Sequence, residues 1–523
     1  MAVPLKIRQV PRPTNTTVYD SKKPGPKQYF VKERLGCKHV KGKCPQPVYG
    51  QVIGYIYDGK FIPKAESVKV AAPDCLSYGS AAFAMSVCTP IKQQLLECFS
   101  LEDALTILTI ALLRVLNPHL PDSRLNSAYC RSWLSLYMPG IHLSANTVSR
   151  FVLALGQDGA KRRSFFETRL RTVAGFEHIA IDGTLKQDTS SVNDLSGFSY
   201  KSRLKGCRDI SVLYAYNIEK MEPLCAQVFP GNCIDASAYR EFIRENKIEK
   251  GILITDKGFP PSQIEKELKN HPDLHFLTPV KRNSLKITEL GLLDFDGTFQ
   301  GIHSQVLYSK RKALNGRYFY AFQDTGLEQA EQKDYLQRRV RNKDFQNEHY
   351  QQKKEKFGLI VFESDQDLQP QIAYRCYQQR WLLELMFKKY KCVEGLTETR
   401  VQGDHSVYGS EFINFIATVI TCEMIKKAEA VGILDGTTYG EMMHELDLIW
   451  RKSKATEPAK QGDPYWVHPF TSGIEMLIKL GLISPAEDES TNHEPKKRGR
   501  PRTKPIFVGP KRPRGRPRKE ITE

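Results

Sequence analysis

At His178 the apolar pattern of this 523-residue chain changes its period, and that change narrows the folds open to it. Upstream, from about Tyr78 to Gly175, apolar residues recur at helical spacing: Ile91, Leu95 and Cys98, then Leu105, Leu108, Ala111, Leu112 and Val115. Downstream, short β-branched and aromatic runs take over. His178-Ile-Ala-Ile-Asp182, Ile210–Tyr216 and Leu224–Phe229 read as three successive strands, with the polar stretch Asn217–Pro223 as a hairpin-like turn between the last two. A helix capped by Asp235 follows, then a buried-type strand, Gly251–Thr255, that ends at Asp256. Pro260 and Pro261 open another helix, and Leu274–Val280 is a fifth strand. Strand–strand–strand–helix–strand–helix–strand predicts an α/β mixed sheet with helices on its faces.

The remaining segments flank that core. Residues 1–69, rich in Pro, Lys and Gly, read as a partly extended N-terminal arm, and 70–176 as a helical region. Within the latter, a helix near Ala128–Met138 stops at Pro139-Gly140, and a second begins with Ser144 as N-cap and presents Asn146, Thr147 and Arg150. Two readings fit this pair: neighbours in a bundle, or a helix-turn-helix that binds DNA ends. Residues 283–363 break the strand–helix alternation. There Asn315-Gly316 predicts a type I′ hairpin between Gln305–Ala313 and Arg317–Phe322, and a long polar helix spans roughly Leu327–Glu355. Residues 406–484 are mainly helical, and 485–523 form a polar linker and basic tail expected to be disordered.

Seventy-seven Lys and Arg against 59 Asp and Glu leave a formal charge of +18, so a polyanion is the expected large partner. Residues 496–519 alone hold twelve Lys or Arg and no acid, which makes the excess a property of the tail. The twelve cysteines are scattered through helix and strand interiors, a pattern of reduced thiols in an intracellular protein. Cys37, His39 and Cys44 lack the second Cys/His pair of a zinc finger. The N-terminus has no signal-peptide apolar block, and the apolar stretches around 104–116 and 412–425 are shorter than the ~18–20 residues of a membrane span. A cytoplasmic location is therefore expected, nucleoid-associated if the source is a bacterium, with no membrane partner.

Asp182 and Asp256 each stand at the expected tip of a buried strand. Two carboxylates at converging strand tips repel one another unless a cation joins them, and a hard divalent ion with oxygen ligands is the natural counter-charge. Either acid alone reads equally as a turn or cap residue. On the expected helix from about Pro370 to Cys392, Tyr377, Arg380, Glu384 and Lys391 fall on one stripe, all within about 60° at roughly 100° per residue. A carboxylate among an arginine, a tyrosine and a lysine suits both metal holding and phosphate gripping, although a solvated helix face has the same composition. Asp294-Phe-Asp296-Gly297-Thr298 repeats the Asp-Gly-Thr that begins at Asp182, but it lacks a preceding β-branched run and reads as a turn.

Tyr377-x₂-Arg380-x₃-Glu384-x₆-Lys391 resembles the signature of a group of bacterial insertion-sequence transposases of the DDE class. Ile181-Asp182-Gly183-Thr184 and Thr255-Asp256-Lys257-Gly258-Phe259 resemble its two aspartate motifs. The resemblance runs from about Phe176 to Lys391. It implies a ribonuclease H-like catalytic core over 177–405, interrupted between Asp256 and Glu384 by a β-rich insertion at about 283–363. It implies that Asp182, Asp256 and Glu384 are the catalytic, metal-binding triad for two Mg²⁺ (or Mn²⁺) ions, and that Tyr377, Arg380 and Lys391 hold the DNA backbone. The implied activity is cut-and-paste transposition of an insertion sequence by strand cleavage and strand transfer, with double-stranded transposon-end and target DNA as partners and a homodimer as the active species. A metal-dependent nuclease without joining and a non-catalytic DNA-binding regulator are the alternatives.

The tail carries its own signal. Arg498-Gly499-Arg500 and Arg514-Gly515-Arg516, each followed by Pro-Arg, are two copies of the AT-hook pattern. Glycine lets an extended backbone lie on the floor of a narrow groove while the arginines enter the negative A·T minor groove. A generic polycation is the competing reading.

Overall fold

The computed structural model describes residues 3–38, 44, 46–63, 74–200, 202, 205–233, 236–254, 261–301, 304–341, 347–379, 398–455 and 457–486. The chain divides into two compact units, Met1–Asp74 and Cys75–Glu523.

In the first unit the segment expected to be an extended arm contains a four-stranded antiparallel sheet: β1 (Thr16–Asp20), β2 (Tyr29–Lys38), β3 (Gln46–Tyr57) and β4 (Lys60–Pro63), in that spatial order. Alternation buries Val18, Val31 and Ile56 on one face, where Val10 joins them and Ile7 of the short helix Leu5–Arg8 packs against them. The strand-like run Gln51–Tyr57 of β3 is legible in the sequence, but the four-stranded pairing is not, because the opposite face carries lysine and tyrosine in place of aliphatic residues.

The second unit is built on a ten-stranded sheet, counted among the described residues. A short strand, β5 (Cys75–Ser77), lies outside it. Its members are β6 (His178–Asp188), β7 (Gly197–Phe198), β8 (Arg208–Asn217), β9 (Glu222–Pro230), β10 (Gly251–Ile254), β11 (Leu274–Pro279), β12 (Gly297–Gln300), β13 (Gln305–Lys312), β14 (Tyr318–Asp324) and β15 (Leu359–Ser364). The spatial order runs β12-β13-β14-β15-β11-β10-β6-β8, with β7 and β9 both paired to β8. β6, β10 and β11 are mutually parallel neighbours; β8 is antiparallel to β6, and β9 to β8. The segment expected to break the alternation extends this same sheet: β15 pairs antiparallel with both β11 and β14.

The hairpin around Asn315-Gly316 forms, but with a different turn. Among the described residues only Gly316 of the pair has a positive φ (+82°), whereas a type I′ turn needs two. The loop is instead closed by Ala313 N–H donating to the Arg317 carbonyl and Gly316 N–H to the Ala313 carbonyl. The polar helix beyond it is described as Thr325–Arg341 and Asn347–Lys354, with 342–346 outside the described residues.

Helices cover one face of β6, β8 and β9. The longest, Asp404–Ala430, stacks Phe415 on Tyr214 of β8 and packs Phe412 and Phe415 edge-on against Phe165 and Phe166 of the helix Gly159–Arg171. Ser144 caps the helix Ala145–Gln157 by accepting the Thr147 N–H, and that helix buries Val148, Val152 and Leu155. The helix expected near Ala128–Met138 is split into Leu125–Arg131 and Leu134–Tyr137, with Ser132 extended between them. Two further strands, β16 (Trp450–Lys452) and β17 (Trp466–Val467), join β5 in a small sheet.

The helices Ala145–Gln157 and Asp404–Ala430 cross backbone to backbone at Gly156 and Gly409. A Cβ on Gly156 would overlap the His405 carbonyl oxygen, and one on Gly409 the Val152 carbonyl oxygen. Over-packing of this kind costs about 1–3 kcal/mol and sometimes more. We expect Gly409→Ala to lower the thermal midpoint by several degrees. Gly159→Ala, where the added methyl meets nothing closer than 3.5 Å, should leave it unchanged. Paired melting curves check both.

Candidate active site

Asp182 lies inside β6, not at its tip. The strand continues six residues further, pairing with β8 throughout, from Ile179 opposite Asn217 to Asp188 opposite Arg208. β8 is ten residues long, carries Ile210, Val212, Tyr214 and Tyr216 in alternation, and offers β6 a partner along its length. Gly183 is therefore an interior position of the strand, opposite Leu213, and not a strand terminator. Asp182 is half-buried opposite Tyr214, and its Oδ1 accepts the Gly183 N–H at 2.8 Å.

Three other segments reach the same strand. Among the described residues β10 runs parallel to its first residues, with Ile252 opposite His178 and Ile254 opposite Ala180. The helix Pro370–Gln379 brings Cys376 beside His178, their ligand-type atoms and those of Glu219 all lying within 4.8 Å of one another. Past residue 397 the chain returns to β6: Glu398 bridges to Gln187, and Thr399 N–H donates to the Gln187 carbonyl at 2.8 Å. Chain on both sides of 380–397 is thus held against β6, once at His178 and once at Gln187, and Asp182 lies between those two points.

Of the residues singled out from sequence, Asp182 is described in full. Tyr377 is described as a position in the helix Pro370–Gln379. Asp256, Arg380, Glu384 and Lys391 lie outside the described residues, as do Arg498, Gly499, Arg500, Arg514, Gly515 and Arg516 of the tail. The rival acid pair is a closed turn: Asp296 accepts both Arg311 Nη1 (2.7 Å) and the Lys310 N–H, and Arg311 holds its carboxyl below the usual carboxylate range.

The donors bear on which metal the site could hold. Asp182 offers a hard anionic oxygen, the type that Mg²⁺ and Mn²⁺ prefer. The His178–Glu219–Cys376 cluster offers nitrogen, oxygen and sulfur, a poor set for a hard ion. Glu219 there is already engaged, Oε1 lying 2.6 Å from His178 Nδ1 and Oε2 accepting the His178 N–H. Burial pushes the Cys376 thiol up to about 12, so it packs as a neutral group.

A buried ionic network near Asp182 escapes sequence reading. Lys186, four residues along β6 and on the same face, is 1% exposed and meets Glu411 of the helix Asp404–Ala430 at 2.5 Å. Asn414 donates to the same Glu411 oxygen, and Arg114 donates to Asn414 Oδ1 (2.7 Å), to the Ser410 carbonyl and to Asp122. Burial lowers the Lys186 pKa, and Glu411 acts in the opposite direction. The network ties strand, long helix and helix Leu101–Leu116 together. A lysine in an alternating strand is ordinarily assigned to solvent, and only the arrival of Glu411 from 225 residues away makes it internal.

Residues 174–420 match the family model described as a transposase DDE domain. This stretch is similar to a transposase catalytic domain. It covers just under half of the chain and includes β6, β10 and the long helix at its end. No curated protein matches. Among solved structures, a piggyBac transposase synaptic complex with hairpin DNA aligns over 71% of this chain and 80% of that one, at 9% identity and a TM-score of 0.37. At that score the likeness carries no argument. No helix among the described residues is long and apolar enough to cross a membrane.

Removing one partner of a buried pair leaves the other charge without compensation, at a cost of about 3–5 kcal/mol. We expect Lys186→Met to destabilise the protein on that scale, and Lys186→Met with Glu411→Leu to recover most of the loss. Urea titrations of the two variants and the parent check the expectation; equal destabilisation by both would contradict it.

Proposed function

We propose that this chain is a DDE transposase, a metal-dependent phosphoryl-transfer enzyme acting on double-stranded DNA at the ends of its own insertion sequence. The observation that most supports the reading is the convergence on β6. Ile254 of β10 stands opposite Ala180, and Asp256 and Asp182 each follow two residues later in their own chains. Glu384 belongs to the stretch whose flanks both touch β6 around Asp182. The spatial order β9-β8-β6-β10-β11, with the first two steps antiparallel and the last two parallel, agrees with the ribonuclease H-like core that the sequence resemblance implies. The family match over 174–420 spans all three acids.

Asp182, Asp256 and Glu384 would together hold two Mg²⁺ or Mn²⁺ ions. Held by these carboxylates, such ions would supply Lewis-acid stabilisation to the oxygens that gain charge in a phosphoryl displacement. Tyr377, Arg380 and Lys391 grip the phosphates of the transposon end and hold the scissile bond in line. With water as nucleophile the outcome is strand cleavage; with a DNA 3′-hydroxyl it is joining to target DNA, the cut-and-paste route. Neither needs a covalent enzyme–DNA bond, so Tyr377 serves as a binding group. The AT-hooks around Gly499 and Gly515 add A·T-leaning minor-groove affinity, and the active species is a homodimer that holds both ends.

The test is a joining assay with pre-cleaved ends bearing free 3′-hydroxyls, supplied with Mg²⁺. The parent should yield strand-transfer products; cleavage of uncut substrate without any joining would identify a nuclease instead. Glu384→Gln and Asp182→Asn should each abolish both products while leaving end binding near normal, since only the carboxylate cage is altered. Wild-type cleavage by either variant would remove the triad. Deleting 496–523 should weaken DNA binding and lower the log–log salt slope by about 0.9 for each phosphate the tail no longer neutralises, as measured by fluorescence anisotropy at several salt concentrations.

A further inference from the structure

The N-terminal sheet has one face that no core explains. Residues 1–74 carry fourteen Lys or Arg against five Asp or Glu. Alternation assigns Val18, Val31 and Ile56 to the covered face, so their neighbours Tyr19, Phe30 and Tyr55 share the other. These three are in register, Tyr19 opposite Phe30 and Phe30 opposite Tyr55, which sets a row of aromatic side chains across β1, β2 and β3. Tyr19 and Phe30 are stacked at 5.5 Å with their planes 15° apart, and Tyr49 meets Tyr19 edge-on at 5.2 Å. None of the four is buried.

The cations on this face are arranged around the rings. Lys32 Nζ lies 5.8 Å from the centroids of both Tyr19 and Phe30, and Lys27 Nζ lies 5.6 Å from that of Tyr55. The acids of these strands fall elsewhere: Asp20 and Glu33 share the face of Val18 and Val31. A row of accessible rings with ammonium groups between them and no carboxylate among the described residues of that face is chemistry for a polyanion that also offers flat apolar groups.

From this juxtaposition we infer that the open face of β1–β3 is a binding platform for single-stranded DNA, its unpaired bases stacking on the Tyr19–Phe30–Tyr55 row and its phosphates meeting Lys27 and Lys32. Duplex DNA fits the face less well, because its bases are stacked on one another and reach a protein only by their edges, whereas unpaired bases expose the π-faces that such rings accept. A protein partner would gain little from four rings set among uncompensated lysines. The inference stands apart from the transposase reading: it concerns a different unit of the chain and needs no catalysis.

The test uses the full chain and a fluorescein-labelled, pyrimidine-rich 20-nucleotide single strand, with the matching duplex as comparison. The double variant Phe30→Leu/Tyr55→Leu keeps apolar bulk for folding and removes two rings. It should weaken single-strand binding about tenfold and change duplex binding less than twofold. Because the AT-hooks proposed for the basic tail would also bind DNA, a second measurement locates the contact. A strand carrying 5-iododeoxyuridine is photo-cross-linked to the parent protein and the adducts are mapped by peptide mass. Adducts at Tyr19, Phe30, Tyr49 or Tyr55 support the platform. Adducts confined to other parts of the chain, or equal losses of single-strand and duplex binding in the double variant, overturn it.

Discussion

β6 is the strand on which distant segments of the second unit converge, and the organisation of that unit depends on its pairing. On one side β8 pairs with it from Ile179 to Asp188; on the other, the described part of β10 stops opposite Ala180. Backbone N–H and C=O groups along both edges of such a strand must find partners. Chain from far along the sequence meets part of that demand, with Thr399 donating to the Gln187 carbonyl. Asp182 sits in β6 between Ala180, which pairs with β10, and Gln187, and it is half-buried opposite Tyr214.

A buried polar network fixes the helix Asp404–Ala430 against this strand. Lys186 and Glu411 together cost desolvation that their attraction only partly repays, so their value is directional more than energetic. An apolar pair would let the helix Asp404–Ala430 slide along the sheet, whereas a charge pair with Asn414 and Arg114 attached admits one register. The glycine crossing at Gly156 and Gly409 acts to the same end from the other side of that helix, since backbones in contact cannot shift without overlap. Both devices fix the position of the helix Asp404–Ala430, one against β6 and the other against the helix Ala145–Gln157.

Legibility in the sequence tracked how local the cause was. Strands β6, β8, β9, β10 and β11 could be read from β-branched runs because both faces of each are substantially buried and the run is continuous. The Ser144 cap and the Gly316 turn position were legible for the same reason, being set within a few residues. The extent of β6 was not, because Gly183 in isolation looks like a stop and only the pairing with β8 carries the strand on to Asp188. The four-stranded pairing in residues 1–74 was obscured by its own chemistry: one face carries lysines and tyrosines in place of aliphatic residues.

The amino-acid order by itself determined the element types, the sequence of strands and helices that selects a mixed sheet, and the set of acids and cations from which a DNA-processing site could be made. These depend on side-chain size, branching and charge within one or two turns of chain. Tertiary structure alone decided that Lys186 is internal, that β12–β15 extend the central sheet, and that β10, Cys376 and Glu398 all meet β6 around Asp182. Those outcomes rest on contacts between residues tens to hundreds of positions apart. Their strength comes from burial and from a shared backbone register, which no local pattern encodes.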